Sequence, residues 1–128
     1  MAATPFSFTG ALQVPGDRGL PQDPIPLNMS SSFTSANEQV LNLTSAGTMT
    51  LPMGTVGDAG LKGLLIKVDP NADGSTEPVY VKINAETTGE EISPGGFKAN
   101  GNPVPVAGIT SITITWTTPN VVRVWALG

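Results

Sequence analysis

Asp69, Asn71, Asp73 and Gly74 stand in the order D-x-N-x-D-G within the stretch VDPNADGS. Oxygen ligands at alternate positions, followed by a glycine turn, spell the first half of a calcium loop. A twelve-residue loop of that kind ends in a bidentate glutamate. Counted from Asp69, that place belongs to Tyr80, and only Glu77 on the way could add an oxygen. The flanks LLIKV and VYVKI read as strands, whereas an EF-hand needs helices. Asp-Pro opens turns and Asp-Gly tolerates positive φ, so the expected role is a turn joining two antiparallel strands. A weak calcium site on Asp69, Asn71 and Asp73 is the alternative, and no cofactor is expected.

Other candidate chemistry is thin. Gly54, Gly57, Gly60 and Gly63 recur at every third position in GTVGDAGLKG. Three triplets are too short for a collagen helix, and no Gly-Lys-Ser/Thr closes a phosphate loop, so a surface loop is expected. Glu90 and Glu91 are adjacent and would point to opposite faces of a strand, the wrong geometry for a glycosidase pair. Asp17 and Asp23 lie in a proline-rich segment, a poor place for preorganised groups. The chain has no His and no Cys. That removes the usual general base, the Ser-His and Cys-His nucleophile pairs and thiolate metal sites. NMS (28–30) and NLT (42–44) match the glycosylation pattern, which carries meaning only in a secreted protein. The reading is a non-enzyme.

The elements that would position any site are short and numerous. The chain has 128 residues, enough for one domain, with 15 Gly and 12 Pro interrupting every window where a helix could grow. Six basic residues against ten acidic ones leave a net charge of −4 and no basic stripe, so no nucleic-acid partner is expected. No apolar run approaches the ~20 residues of a membrane helix, and MAATPFSFTG lacks the form of a signal peptide, so a soluble protein made in the cytoplasm is expected. Strand signals repeat from Gln39: QVLNL, TMTL, LLIKV, VYVKI, EEIS, ITSITITW and VVRVWAL. In ITSITITW, Ile112, Ile114 and Trp116 share one face. The last two strands, joined by TTPN, read as a hairpin. The predicted fold is all-β, an antiparallel β-sandwich of jelly-roll or immunoglobulin-like type over 39–128.

Residues 1–38 form a separate zone, an extended proline-rich arm in which FSF and ALQV offer short edge strands. Phe6, Phe8, Leu12, Val14, Ile25, Leu27 and Phe33 are more apolar than a solvated tail requires. They suit either a segment wrapped on its own domain or an arm docked on a neighbouring subunit. Trp125 alternates with Arg123 and Leu127, opposite Val122, Val124 and Ala126. Core packing is the expected place for it. On the outer face it would instead offer a subunit contact or a ligand platform.

Residues 91–128, EISPGGFKANGNPVPVAGITSITITWTTPNVVRVWALG, resemble the C-terminal end of small virion proteins of tailed bacteriophages. The likeness rests on the PGG turn, the GITSITI strand and the VRVWALG close. It extends to 39–83 only in style, and not to the arm. It implies a structural β-sandwich present in many copies on the virion. The economical role is a decoration or cement protein on the capsid surface, a homotrimer that clamps the major capsid protein, with Phe6, Phe8, Leu12, Val14, Ile25, Leu27 and Trp125 as interface residues. The alternatives are a carbohydrate- or receptor-binding module of a tail or fibre, using Tyr80, Trp125 and the Asp69–Gly74 loop, or a head–tail or tail component.

Overall fold

The computed structural model describes residues 3–12, 25–52, 60–71, 75–84, 87–106, 109 and 111–128. Among them twelve strands and no helix occur: β1 (Thr4–Phe8), β2 (Ala11–Leu12), β3 (Ile25–Pro26), β4 (Met29–Phe33), β5 (Ala36–Leu43), β6 (Gly47–Pro52), β7 (Leu61–Val68), β8 (Val79–Ile83), β9 (Glu90–Ile92), β10 (Phe97–Val106), β11 (Ser111–Trp116) and β12 (Asn120–Leu127). They build two four-stranded antiparallel sheets, in the orders β10-β7-β12-β5 and β6-β11-β8-β9, and two small ladders, β1-β4 and β2-β3.

Alternation explains the core. Side chains on a strand point to opposite faces in turn. Ile66 and Val68 from β7 and Val122, Val124 and Ala126 from β12 point inward from the first sheet. Val79, Val81, Ile112, Ile114 and Trp116 meet them from the second. Trp116 buries its ring while its indole N–H donates to the Ser45 carbonyl at 2.6 Å. The polar end of the side chain is thereby satisfied inside the sandwich. The outer face of the second sheet is polar by the same alternation, with Thr48–Thr115 and Thr50–Thr113 hydroxyl pairs across β6 and β11.

Three expectations are corrected here. β11 and β12 belong to different sheets, so TTPN is not a hairpin turn but a crossing between layers. The same holds for β7 and β8: the Asp69 loop connects the two sheets rather than two paired strands. One-sided apolar alternation is identical in a hairpin and in a connection that arches over the core, so the pattern alone does not separate them. The glycine-rich stretch is not all loop, because β7 begins at Leu61 and includes Gly63. Gly60, with φ of 87°, directly precedes that strand in a conformation glycine adopts without a Cβ penalty.

β3, β4 and β10 were not foreseen as strands. β5 begins at Ala36, three residues before the strand start read from the sequence. Within 1–38, the described segments are paired rather than irregular. Phe6 opposes Ser31 and Phe8 opposes Met29 across β1 and β4.

Candidate functional site

The Asp69 carboxylate is already occupied. Arg123 lies on the outer face of β12, and its Nε donates to both Asp69 oxygens at 3.1 and 3.2 Å. Its Nη2 adds a bond of 3.0 Å to Oδ2. This fork-to-carboxylate arrangement holds the Asp69 carboxyl below its ordinary value of 3.8, chiefly by hydrogen bonding. Partial burial opposes the shift, and Lys67 adds a smaller attraction. No group of three or more His, Cys, Asp or Glu among the described residues could hold a metal ion. Asn71 lines the same end of the sandwich, and Asp73 lies outside the described residues.

A carboxyl with a depressed folded value stabilises the fold above about pH 3.8 and loses that contribution as pH falls through the lower folded value. Asp69→Asn is therefore expected to lower Tm modestly at neutral pH, with the two Tm profiles converging in acid. Parallel profiles down to pH ~2 would show that the ion pair contributes nothing to the acid limb.

Beside Asp69 lies a groove of about 450 Å³ bounded by Asn42, Asp69, Asn71 and Asn120. Asn120 is buried; its amide donates to the Thr118 carbonyl at 2.9 Å, while its Oδ1 has no partner among the described residues. The Asn71 Nδ2 is likewise buried without one.

The second candidate surface is the outer face of the β10-β7-β12-β5 sheet. Register places Ala99, Leu65, Trp125 and Glu38 in one row across the four strands. Gly101, Gly63, Leu127 and Ala36 form the next row. Trp125 is thus half-buried on the outside, and core packing, the expected place for it, is corrected. Val122, Val124 and Ala126 fill the inner face, and strand alternation leaves Trp125 no route into it.

Two glycines make room for the β1-β4 ladder. A Cβ on Gly63 would stand 3.0 Å from ring carbons of both Phe6 and Phe8. One on Gly101 would stand 3.0 Å from the Met29 sulfur. Glycine inside a strand often marks a place where another chain segment approaches closely, and here that segment is the N-terminal ladder. Phe6 meets Phe8 edge-on at 6.0 Å and Phe33 at 5.9 Å, so the aromatics form one cluster over the glycines. The Lys62 ammonium donates to the Ser32 carbonyl at 2.7 Å and ties the ladder to β7. Phe6 and Phe8 therefore serve their own chain's sheet.

Beside the ladder runs a groove of about 480 Å³, walled by Phe8, Leu27, Met29, Leu65, Phe97 and Ala99. Leu27 is 60% exposed and Phe97 68% exposed at its rim. Leu12, 53% exposed, sits on the β2-β3 ladder opposite Ile25. Val14 lies outside the described residues, as does the side chain of Ile25. Tyr80 projects from the outer face of the second sheet, so it and Trp125 lie on opposite sides of the sandwich and cannot share one ligand.

The residues that build this surface and escaped sequence reasoning are Gly63, Gly101, Met29, Leu65 and Phe97. A glycine interrupting apolar strand residues was the available signal for Gly63, whereas Gly101 stands between Asn100 and Asn102 and gave none. No protein-family model matches the chain, and neither does any curated protein or solved structure.

Proposed function

We propose that this chain is a non-enzymatic structural protein of a phage virion, which decorates the capsid and stabilises it by binding the major capsid protein. The observation that carries this reading is the contrast between the two outer faces. The second sheet turns threonines to solvent, whereas the first turns out Leu65 and Phe97 beside a groove rimmed by Leu27, with Trp125 next to Leu65 in the same row. Apolar surface grouped on one side of a small domain marks an interaction face.

The fold reading adds support. With β5 to β12 taken in order, the strand orders β10-β7-β12-β5 and β6-β11-β8-β9 support reading the sandwich as an eight-stranded jelly roll, an architecture used by viral capsid and lectin domains. An immunoglobulin-like sandwich distributes its strands differently. The phage-like C-terminal motifs point the same way, and fold likeness alone would not assign a function.

The test is co-sedimentation with mature and immature shells from the same genome. Saturable binding to mature shells is expected, and Phe97→Asp combined with Leu27→Asp should abolish it while near-UV circular dichroism stays unchanged. Wild-type protein left in the supernatant with both shells would overturn the proposal.

The groove bounded by Asn42, Asp69, Asn71 and Asn120 favours a second reading, a carbohydrate- or receptor-binding module. Amide side chains with spare hydrogen-bonding capacity are suited to sugar hydroxyls. Glycan binding that disappears in Asn71→Ala, with the fold intact, would select that reading.

A further inference from the structure

Each four-stranded sheet has two edges, and three of the four are blunted. β9 has only three residues, and its exposed Glu90 pairs with Lys98 on β10. β10 carries Lys98, Pro103 and Pro105, and its register shifts between Gly101 and Val106. β6 closes at Pro52. Short strands, lysine, proline and irregular register are the devices that keep strand edges from pairing with other chains.

β5 has none of them. Its eight residues, ANEQVLNL, pair with β12 in unbroken register and contain no Pro, Gly, Lys or Arg. Which of its backbone groups face outward follows from one pair. Ser35 and Gly128 exchange both hydrogen bonds, at 2.9 and 3.2 Å. In an antiparallel ladder such pairs alternate, so the odd-numbered residues of β5 bond β12. The N–H and C=O groups of Ala36, Glu38, Val40 and Asn42 therefore point to the sheet edge, where no described strand pairs with them.

We infer that this edge is the site of self-association: β5 pairs antiparallel with β5 of a second copy about a two-fold axis at Val40. Only registers that match side-chain faces are allowed. The one centred on Glu38 sets carboxylates against each other, and the one centred on Gln39 sets Val40 against the partner's Glu38. Centring on Val40 joins the exposed Val40 side chains and places Glu38 opposite the partner's Asn42, with no like charges facing. Val40, 55% exposed, then loses its solvent contact beside Trp125, which borders it on the same face. The axis stands perpendicular to the sheet, so both apolar outer faces look the same way. The dimer does not depend on shell binding, but if both hold, each dimer engages the shell through two like faces.

Light scattering of the purified full chain is expected to give a mass twice its 13.1 kDa. Val40→Lys, a change at an exposed position, should raise the dissociation constant about tenfold or more by setting like charges opposite each other. The chain has no cysteine, so Val40→Cys can cross-link only to its counterpart. It should form a disulfide dimer on mild oxidation, because paired residues across a ladder lie within disulfide reach. Thr50→Cys, exposed on the other sheet, should stay uncross-linked. A monomer at high concentration, a trimer, or a dimer that Val40→Lys leaves intact would each overturn the inference.

Discussion

Replacing Ile114 by alanine is expected to lower the unfolding free energy by about 4 kcal/mol, near the upper part of the range for such truncations. Ile114 is 0% exposed and sits on β11 between β6 and β8, opposite Met49 on one side and Val81 on the other. A strand paired on both edges cannot sink into the vacated space, so the cavity persists and its cost adds to the lost transfer energy. Against a typical total of about 5–15 kcal/mol, the loss decides whether the domain is folded at 37 °C. Thr113→Ala, on the solvent face of the same strand, should change stability by only about 0.5 kcal/mol. Urea unfolding of the two variants gives the comparison. A loss below about 1 kcal/mol for Ile114→Ala would mean that the two sheets do not share one core.

What made Ile114 legible is the strict alternation in SITITW, residues 111–116, where sequence and burial agree residue by residue. The same signal worked for VYVKI, and in VVRVWAL it separated the two faces without saying which was inner. It failed where the strand carries another duty. β10 reads as loop because Gly101, Pro103 and Pro105 break its pattern, and those residues are what an edge strand lying under a second segment needs. Pairing was also illegible. A connection that crosses the core and one that returns along the same sheet leave the same one-sided pattern on their strands. For the candidate site, exposed Leu27 was named from its type alone. Phe97 was missed because a lone aromatic after PGG has no periodic partner in sequence. The engagement of Asp69 by Arg123, fifty-four residues away, is a tertiary fact that no local motif announces.

Gly63→Val is expected to lift the β1-β4 ladder off the sheet while leaving the sandwich folded. The added Cβ would stand 3.0 Å from Phe6 and from Phe8 and 3.3 Å from a second Phe6 carbon. The two rings pack on each other, and Met29 fills the space over Gly101 next door, so neither ring has room to withdraw. Leu64 and Ile66 face the other way, and valine suits a strand, so the core is untouched. A two-stranded ladder is marginal by itself. Without the burial of Phe6 and Phe8, amides of 4–8 and 29–33 should lose about a hundredfold in hydrogen-exchange protection, while those of β11 and β12 keep theirs. Gly10→Val, where a Cβ meets nothing within 4 Å, should leave all protection unchanged. Unaltered protection in Gly63→Val would mean that the ladder is not held by the glycine patch. The same variant separates the two roles for residues 1–38. The ladder supplies one wall of the Leu27–Phe97 groove, so if the groove is the shell-binding element, undocking removes shell binding. If the segment acts by reaching to a neighbouring subunit, undocking frees Phe6 and Phe8 for that contact and strengthens binding instead.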